Sequence, residues 1–552
     1  MAAFGVFETD AVLPSSCPPY SRSILSSAET MTTAQAANWI ALTSRQLQLG
    51  CGVTMSSATS LVIQPSTCVR DRRRSCCYLG WSGDLVRRYV QQITALGNSA
   101  DVSGGGGCHS YLVRNAGCQS CPKALVHDVG GDPVNGRNSG MDGSADVVVV
   151  GGGIAGSALA TVMARDGYRV VVLERQTAYR DKVRGEIVQG WGVAEMLRLD
   201  LEKPLLDAGG CYMIRGVPYD EVIDPAQAEE LAAPLDRMLP GVPGALDVGH
   251  PEACEALTQA AAAAGAIVVR GVGNVDIEPG DAPVVRYEHD DVAHELRCRL
   301  IVGADGRMST VRRQLGAALH QTTPRTLGGG MLVDGLVAWP AQQISVGTEG
   351  DLLYLVFPRA NGRARLYLLH DIAQKGRFSG PDRQSKFLAA FGLRCIPGSE
   401  MFRAAHPAGP CAFYPMNDSW TDQPYAAGVV LIGDAAGWND PIIGQGLAIA
   451  LRDVRIVTDI LRSESAWSTA AFASYGDERR QRMRRLRVAA QVRTELAATF
   501  SPAGAARRRA YNAVWRTDPV LGGVQRSVFA GPDNVPAESF SPPTIDRILA
   551  LT

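Results

Sequence analysis

Four consecutive valines and a run of glycines constrain this chain more than anything else in it: Asp146-Val-Val-Val-Val150 runs directly into Gly151-Gly-Gly-Ile154-Ala155-Gly156. An unbroken apolar run suits a strand buried on both faces of a parallel sheet, because a strand with one wet face would alternate. Ser157 to Arg165 then carries apolar residues at helical spacing, so the segment reads as strand, tight turn and helix. Gly151 permits the turn, Gly153 lets a pyrophosphate approach the backbone, and Gly156 lets the helix pack on the strand. Ile154 and Ala155 lie between them at the electropositive helix start. Gly167 closes the helix, Tyr168 to Leu173 reads as a second strand, and Glu174 stands at its end, 23 residues after Gly151. An acid there hydrogen-bonds the ribose of an adenine dinucleotide. It would repel a 2'-phosphate, so even with Arg175 beside it the pattern suits FAD or NAD over NADP.

Two later signals extend this pattern. Arg299 to Ala304 reads as a strand that ends in Gly303-Ala-Asp305-Gly306-Arg307, with Ser309 opening a short helix. Ala427 to Ile432 reads as another, ending in Gly433-Asp434-Ala-Ala-Gly437, and Pro441-Ile-Ile-Gly444-Gln445-Gly446 then opens a long helix to about Leu461. Each carboxylate follows the C-terminal end of a strand, where open α/β sheets bind ligands. Taken singly, Asp305 and Asp434 have an ordinary alternative as helix caps.

In this order the motifs resemble the class A flavoprotein monooxygenases of the para-hydroxybenzoate hydroxylase type, including ubiquinone-pathway hydroxylases, over roughly Asp146 to Leu461. The resemblance implies noncovalent FAD, with the ADP half on Gly151, Gly153, Gly156 and Glu174. It also implies that Asp305 and Gly306 contact FAD and the pyridine nucleotide, and that Gly433 and Asp434 meet the ribityl chain. Pro441, Gly444, Gln445 and Gly446 would lie beneath the flavin ring, and Arg184 would lie near it. Reduced flavin is anionic, so free N–H groups at the helix start near Gly446 would stabilise it. Three positions depart from many relatives: Gly437 replaces a histidine, Ala448 an asparagine, and the stretch His250 to Leu257 lacks an arginine.

The fold expected is α/β: a Rossmann-like FAD-binding domain at 145–325 and 425–463, an inserted, mostly antiparallel substrate sheet at 326–424, and a helical region at 464–552. Part of 205–248 would join the substrate domain. Met331 to Trp339, Leu352 to Phe357 and Arg365 to His370 read as its strands, and Gly328-Gly-Gly330 as a turn. Tyr354, Tyr367, His370 and Tyr414 are the candidates for the pocket, with Tyr354 and Pro441 carried as catalytic candidates. The arginines from Arg479 to Arg487 read as a solvated, salt-bridged face over a stripe of Met483, Leu486 and Ala490.

Residues 1–140 lack periodicity and read as mostly disordered. Two origins stay open for them: a natural extension, or upstream sequence ahead of a natural start at Met141. Cys118-Gln-Ser-Cys121, with Cys108, His109 and His127, has half of a zinc spacing but no second proper pair, so no metal site is assigned. With 54 basic and 55 acidic residues the net charge is −1, which leaves no global field for nucleic acid. Neither a membrane span nor a secretory signal is evident, so a cytoplasmic protein is expected, with peripheral membrane contact open and the oligomeric state unread.

The function implied is NADH- or NADPH-driven, oxygen-using hydroxylation or epoxidation of an aromatic, quinol-like or polyketide-like small molecule through a flavin C4a-hydroperoxide. The alternative is reduction of isoprenoid-type carbon–carbon double bonds, because Tyr354-Leu-Val-Phe357-Pro358 partly resembles a strand of geranylgeranyl-lipid reductases. No two tryptophans stand two residues apart, so the Trp-x-Trp-x-Ile-Pro motif of flavin halogenases is absent.

Overall fold

A computed structural model describes residues 143–552 apart from residue 184, together with the segments Cys51–Ser57 and Ser60–Pro65. Those two segments form an antiparallel pair, with Val53 opposite Ile63 and Met55 opposite Leu61. Regular structure there departs from the aperiodic reading of residues 1–140. Val53 and Met55 alternate with small or polar neighbours while Leu61, Val62 and Ile63 run unbroken, both over too short a span to stand out. The zinc alternative and the remaining expectations for residues 1–140 lie outside the described residues.

The valine run forms the strand Val147–Val150 at the middle of a six-stranded sheet. Its order is Ile267–Arg270, Val170–Glu174, Val147–Val150, Leu300–Gly303, Val429–Leu431 and Tyr425–Ala426. The first five are parallel and the last is antiparallel. Val147 and Val149 face the helices Ile154–Arg165, His250–Ala263 and Gly446–Ser463. Val148 and Val150 face a three-stranded meander at Val275–Glu278, Val284–His289 and Val292–Arg297. Burial on both faces is why the run has no polar alternation.

The second large sheet is antiparallel except for one parallel pairing. Its order is His406–Pro407, Thr326–Asp334, Arg363–Asp371, Leu352–Arg359, Gln343–Glu349, Arg215–Val217 and Ala233–Pro234. Ala412–Met416 adds to Thr326–Asp334. Arg215–Val217 and Ala233–Pro234 reach the sheet from the 205–248 segment.

Gly328-Gly-Gly330 is part of a strand and not a turn. It is held between Arg363–Asp371 and Ala412–Met416. A Cβ at Gly329 would stand 2.0 Å from the Ala412 carbonyl oxygen, and one at Gly330 2.1 Å from that of Leu366. The glycines are there for strand crowding, which short-range sequence does not reveal.

One face of this sheet, with Tyr354, Val356, Leu366 and Leu368, packs on the helices Arg383–Ala390 and Glu400–Ala404 through Phe387, Phe391 and Phe402. The opposite face, with Leu353 and Leu369, belongs to one apolar cluster with Ile442, Ile443 and Trp191. The strand alternation thus gives the sheet two apolar faces, one of which shares a cluster with Ile442 and Ile443.

Candidate cofactor and substrate site

The first glycine loop is braced from behind. Ser157 Oγ donates to the Gly152 carbonyl at 2.7 Å, the Tyr179 hydroxyl donates to the same oxygen, and Thr258 joins both hydroxyls. Burial pushes the Tyr179 phenol up to about 12, so it stays a donor. Gly151 has φ +105°, and a Cβ there would sit 2.5 Å from the Ala304 carbonyl oxygen. At Gly156 a Cβ would stand 1.9 Å from the Gly151 carbonyl oxygen. A Cβ on Gly153 would meet nothing within 4 Å, at the start of a helix whose first turn no side chain caps. Ile154 is buried and Ala155 partly so. Glu174 is buried, with its carboxylate accepting the Gly152 and Gln176 N–H groups, each at 2.7 Å. Arg175 beside it is exposed.

The second and third motifs part company over capping. Asp305 does cap a helix: its carboxylate accepts Thr310 N–H at 2.6 Å and Val311 N–H at 3.2 Å, and Gly306 takes φ +76° beside it. Asp434 caps nothing. Its side chain is 36% exposed and meets Arg307 Nε at 3.3 Å, so acceptor capacity remains open.

The loop that carries Asp434 is held by two arginines the sequence did not single out for it. Arg312 donates to the Ala435 carbonyl at 2.8 Å. Arg479, on the helix Ala473–Ala497, donates to the carbonyls of Ala436 at 2.9 Å and of Gly433 and Gly437 at 3.0 Å, and pairs with Asp453 at 3.0 Å. Arg482 pairs with the other oxygen of Asp453 at 2.7 Å. The solvated face expected for this arginine run is therefore wrong for Arg479 and Arg482, which are 2% and 1% exposed. A readable signal existed: Arg479 and Arg482 fall on the same stripe as Met483 and Leu486. Gly437, where many relatives have histidine, takes φ +107°, and a Cβ there would sit 2.5 Å from the Ser419 carbonyl oxygen.

Downstream, Asp440 accepts Ile442 N–H, and Gly444 takes φ +61° ahead of the helix Gly446–Ser463. Pro441 lies partly exposed in the turn. Gln445 is fully buried and turned inward, accepting from Trp191 Nε1 at 2.7 Å and donating to the Val528 carbonyl at 2.9 Å. With its side chain committed there, the helix start has no side-chain cap, and a Cβ on Gly446 would meet nothing within 4 Å. Ala448 packs so closely on the neighbouring helix that a Cβ at Gly192 would lie 2.5 Å from its own Cβ. Burial pushes Asp440 up to about 7 and Asp418 up to about 6.

Two uncapped helix starts with open glycines, a fixed acid at the second strand's end and an open carboxylate at Asp434 fit a long dinucleotide with an anionic centre. A model of the FAD binding domain family matches residues 144–490. The chain belongs to that family. The match runs past Leu461 and takes in Arg479 and Arg482.

Among relatives of this FAD-binding chain, squalene epoxidase 2 of Arabidopsis thaliana is 26% identical over 336 residues, 58% of this chain and 54% of that protein. The 3-demethoxyubiquinol 3-hydroxylase of Escherichia coli (strain K12) is 26% identical over 374 residues, 62% of this chain and 85% of that protein. The chain spans a little over half the length of the squalene epoxidases it matches. Among solved structures, the anhydrotetracycline hydroxylase OxyS from Streptomyces rimosus superposes with a TM-score of 0.54 at 20% identity, covering 70% of this chain and 76% of that one. This likeness speaks to the fold.

The pocket candidates separate by sheet face. Tyr354 is fully buried on the face away from Ile442 and Ile443, its hydroxyl bonded to Ser345 Oγ at 2.9 Å and the Tyr219 carbonyl at 2.7 Å. Its hydroxyl is thus committed within the core of that face, away from the Ile442–Ile443 side. His370 is likewise buried there, between Phe378 and Phe413. Tyr367 is on the other face, its hydroxyl 3.3 Å from Glu186 Oε2. Tyr414 donates to the Lys182 carbonyl at 2.9 Å, and Arg184 lies outside the described residues.

Proposed function

We propose that the protein is a FAD-dependent monooxygenase that takes electrons from NADH or NADPH and hydroxylates or epoxidises an aromatic, quinol-like or polyketide-like small molecule. The observation that carries this reading is the apolar cluster that joins one sheet face, through Leu353 and Leu369, with the Ile442–Ile443 segment that leads into the uncapped helix start at Gly446. Bound FAD would supply the redox and oxygen chemistry. The chain's own residues would do the rest. Gly153 and the first turn of Ile154–Arg165 would receive the pyrophosphate, Glu174 the ribose and Asp434 the ribityl hydroxyls, while Gly444 to Gly446 would present N–H groups to developing negative charge. The apolar face would exclude water beside them. The hydroxylase and epoxidase relatives support oxygen transfer over double-bond reduction. A cytoplasmic location belongs to the same reading.

The test is holoenzyme under labelled oxygen with a panel of phenols, quinols and polyenes. The expected result is NAD(P)H oxidation stimulated by one class, with one labelled oxygen atom in its product. Alkene reduction that proceeds without oxygen would overturn the reading.

A further inference from the structure

Arg493 is a charged group that none of the contacts above accounts for, and it lies past residue 490, where the family match ends. On the helix Ala473–Ala497 it falls close to the phase of Arg479 and Leu486, two heptads and one heptad behind it, on the stripe that turns Ala490 and Ala497 inward. Its nitrogens have no hydrogen-bond or ion-pair partner among the described residues. Burial lowers its basicity, as it does for a guanidinium deep within a protein. The side chain is nonetheless only partly covered, and none of its nitrogens is sealed off. A group that is deep, open and unbonded lines a space inside the fold.

The neighbouring acids are already spent. Asp220 acts on Arg493 only from beyond bonding distance, because its carboxylate accepts Arg508 Nε at 2.9 Å and the Thr348 N–H at 3.0 Å. Glu221 takes the other arm of Arg508 at 2.6 Å. One positive charge is left over, which suits a monoanion better than a dianion. The sheet beside it supplies an apolar counterpart. Thr348 Oγ1 donates to the Ala497 carbonyl at 2.8 Å, one helical turn past Arg493, and the row Thr348, Leu353 and Leu369 across three strands is fully buried. The next row, Val346, Leu355 and Tyr367, points the same way and is only partly covered, although Val346 and Leu355 flank the cluster that holds Ile442 and Ile443. An open cation beside an open apolar row matches a molecule with an apolar body and one carboxylate, which a guanidinium grips with two parallel bonds.

We propose that Arg493 holds the carboxylate of an otherwise apolar organic acid whose body lies along the Val346, Leu355 and Tyr367 row. This rests on the monooxygenase reading only for calling that acid the substrate; binding alone tests it. Oxidised holoenzyme is titrated by calorimetry with 4-heptylbenzoate and with its neutral match, 4-heptylbenzamide. The benzoate binds about tenfold or more tightly than the amide, and the preference falls to about threefold or less in Arg493→Met. Arg493→Lys keeps part of it. Because Arg493 bonds nothing in the protein, Arg493→Met melts no lower than the parent and keeps its FAD. Equal affinities, no benzoate binding, or a preference that survives Arg493→Met would overturn the proposal. A melting temperature well below the parent's would do so too, since the charge would then be structural. The parent's comparison of the two ligands decides alone if no variant can be purified. Benzoate selection without incorporation of labelled oxygen would sink the monooxygenase reading and leave this one standing, whereas labelled product from neutral phenols alone would do the reverse.

Discussion

Replacing Arg479 with methionine keeps an unbranched side chain and removes only the guanidinium. Four contacts go with it: the carbonyls of Gly433, Ala436 and Gly437, and Asp453. Arg482 still pairs with Asp453, so the aspartate is not stranded, and the ion-pair loss sits near the lower end of the ~3–5 kcal/mol that breaking a buried pair costs. Buried carbonyls left without donors cost about 1–3 kcal/mol each, and such losses in one network do not add. A net of about 4 kcal/mol is therefore expected, which lowers the melting temperature by about 5 °C for a folded body of roughly 400 residues. The loop also presents Asp434, so FAD affinity should fall about tenfold or more. Apo and holo melts followed by tryptophan fluorescence, with FAD binding followed by flavin fluorescence, give both quantities. Arg480→Met is the control, because Arg480 pairs with Asp477 on the exposed side of the same helix and should cost within about 0.5 kcal/mol. Lysine at 479 offers one compact ammonium to a forked site and should recover only part of the loss. An Arg479→Met protein that melts within about 2 °C of the parent and holds FAD equally well would refute the clamp.

Gly153→Val should abolish FAD retention without a large fall in the apo melting temperature, since the added side chain enters open space in the protein; stoichiometric flavin after purification would contradict this. Asp440 has a folded-state value raised to about 7, so its contribution to stability is fully present below the ordinary aspartate value near 4 and is lost as pH rises to about 7. Asp440→Asn can still accept Ile442 N–H, so it should gain on the parent between pH 5 and pH 8, by up to about 1.4 kcal/mol per pH unit below the folded value; parallel melting curves across that range would refute it.

The legible part of this molecule is the part written locally. Gly151 to Gly156 with Glu174 form one strand–turn–helix–strand unit, so their roles follow from spacing. The faces of the second sheet were not legible, because parity along a strand does not say which side meets the cofactor. Tyr354, a pocket candidate by residue type, lies in the core for that reason, and Gly328 to Gly330 read locally as a turn because the two strands that crowd them come from 363–371 and 412–416. Arg479 was obscured by its neighbours. In a run of arginines the two that point inward differ from the rest only by helical phase, and their partner is an acid, Asp453, on the buried side of a helix about two dozen residues earlier.

The Arg479 and Gln445 contacts also bear on when the site can exist during synthesis. Gly433 waits for a donor 46 positions further along the chain, and Gln445 for a carbonyl 83 positions further along. The nucleotide half has its glycine loop and acid early, yet a nascent chain that stops after the helix Gly446–Ser463 would leave the flavin end of the site unfastened. If the cofactor binds as proposed, its loading would be coupled to completion of the helical region, and a ribosome stalled before residue 479 would carry a chain able to hold a dinucleotide by one end only.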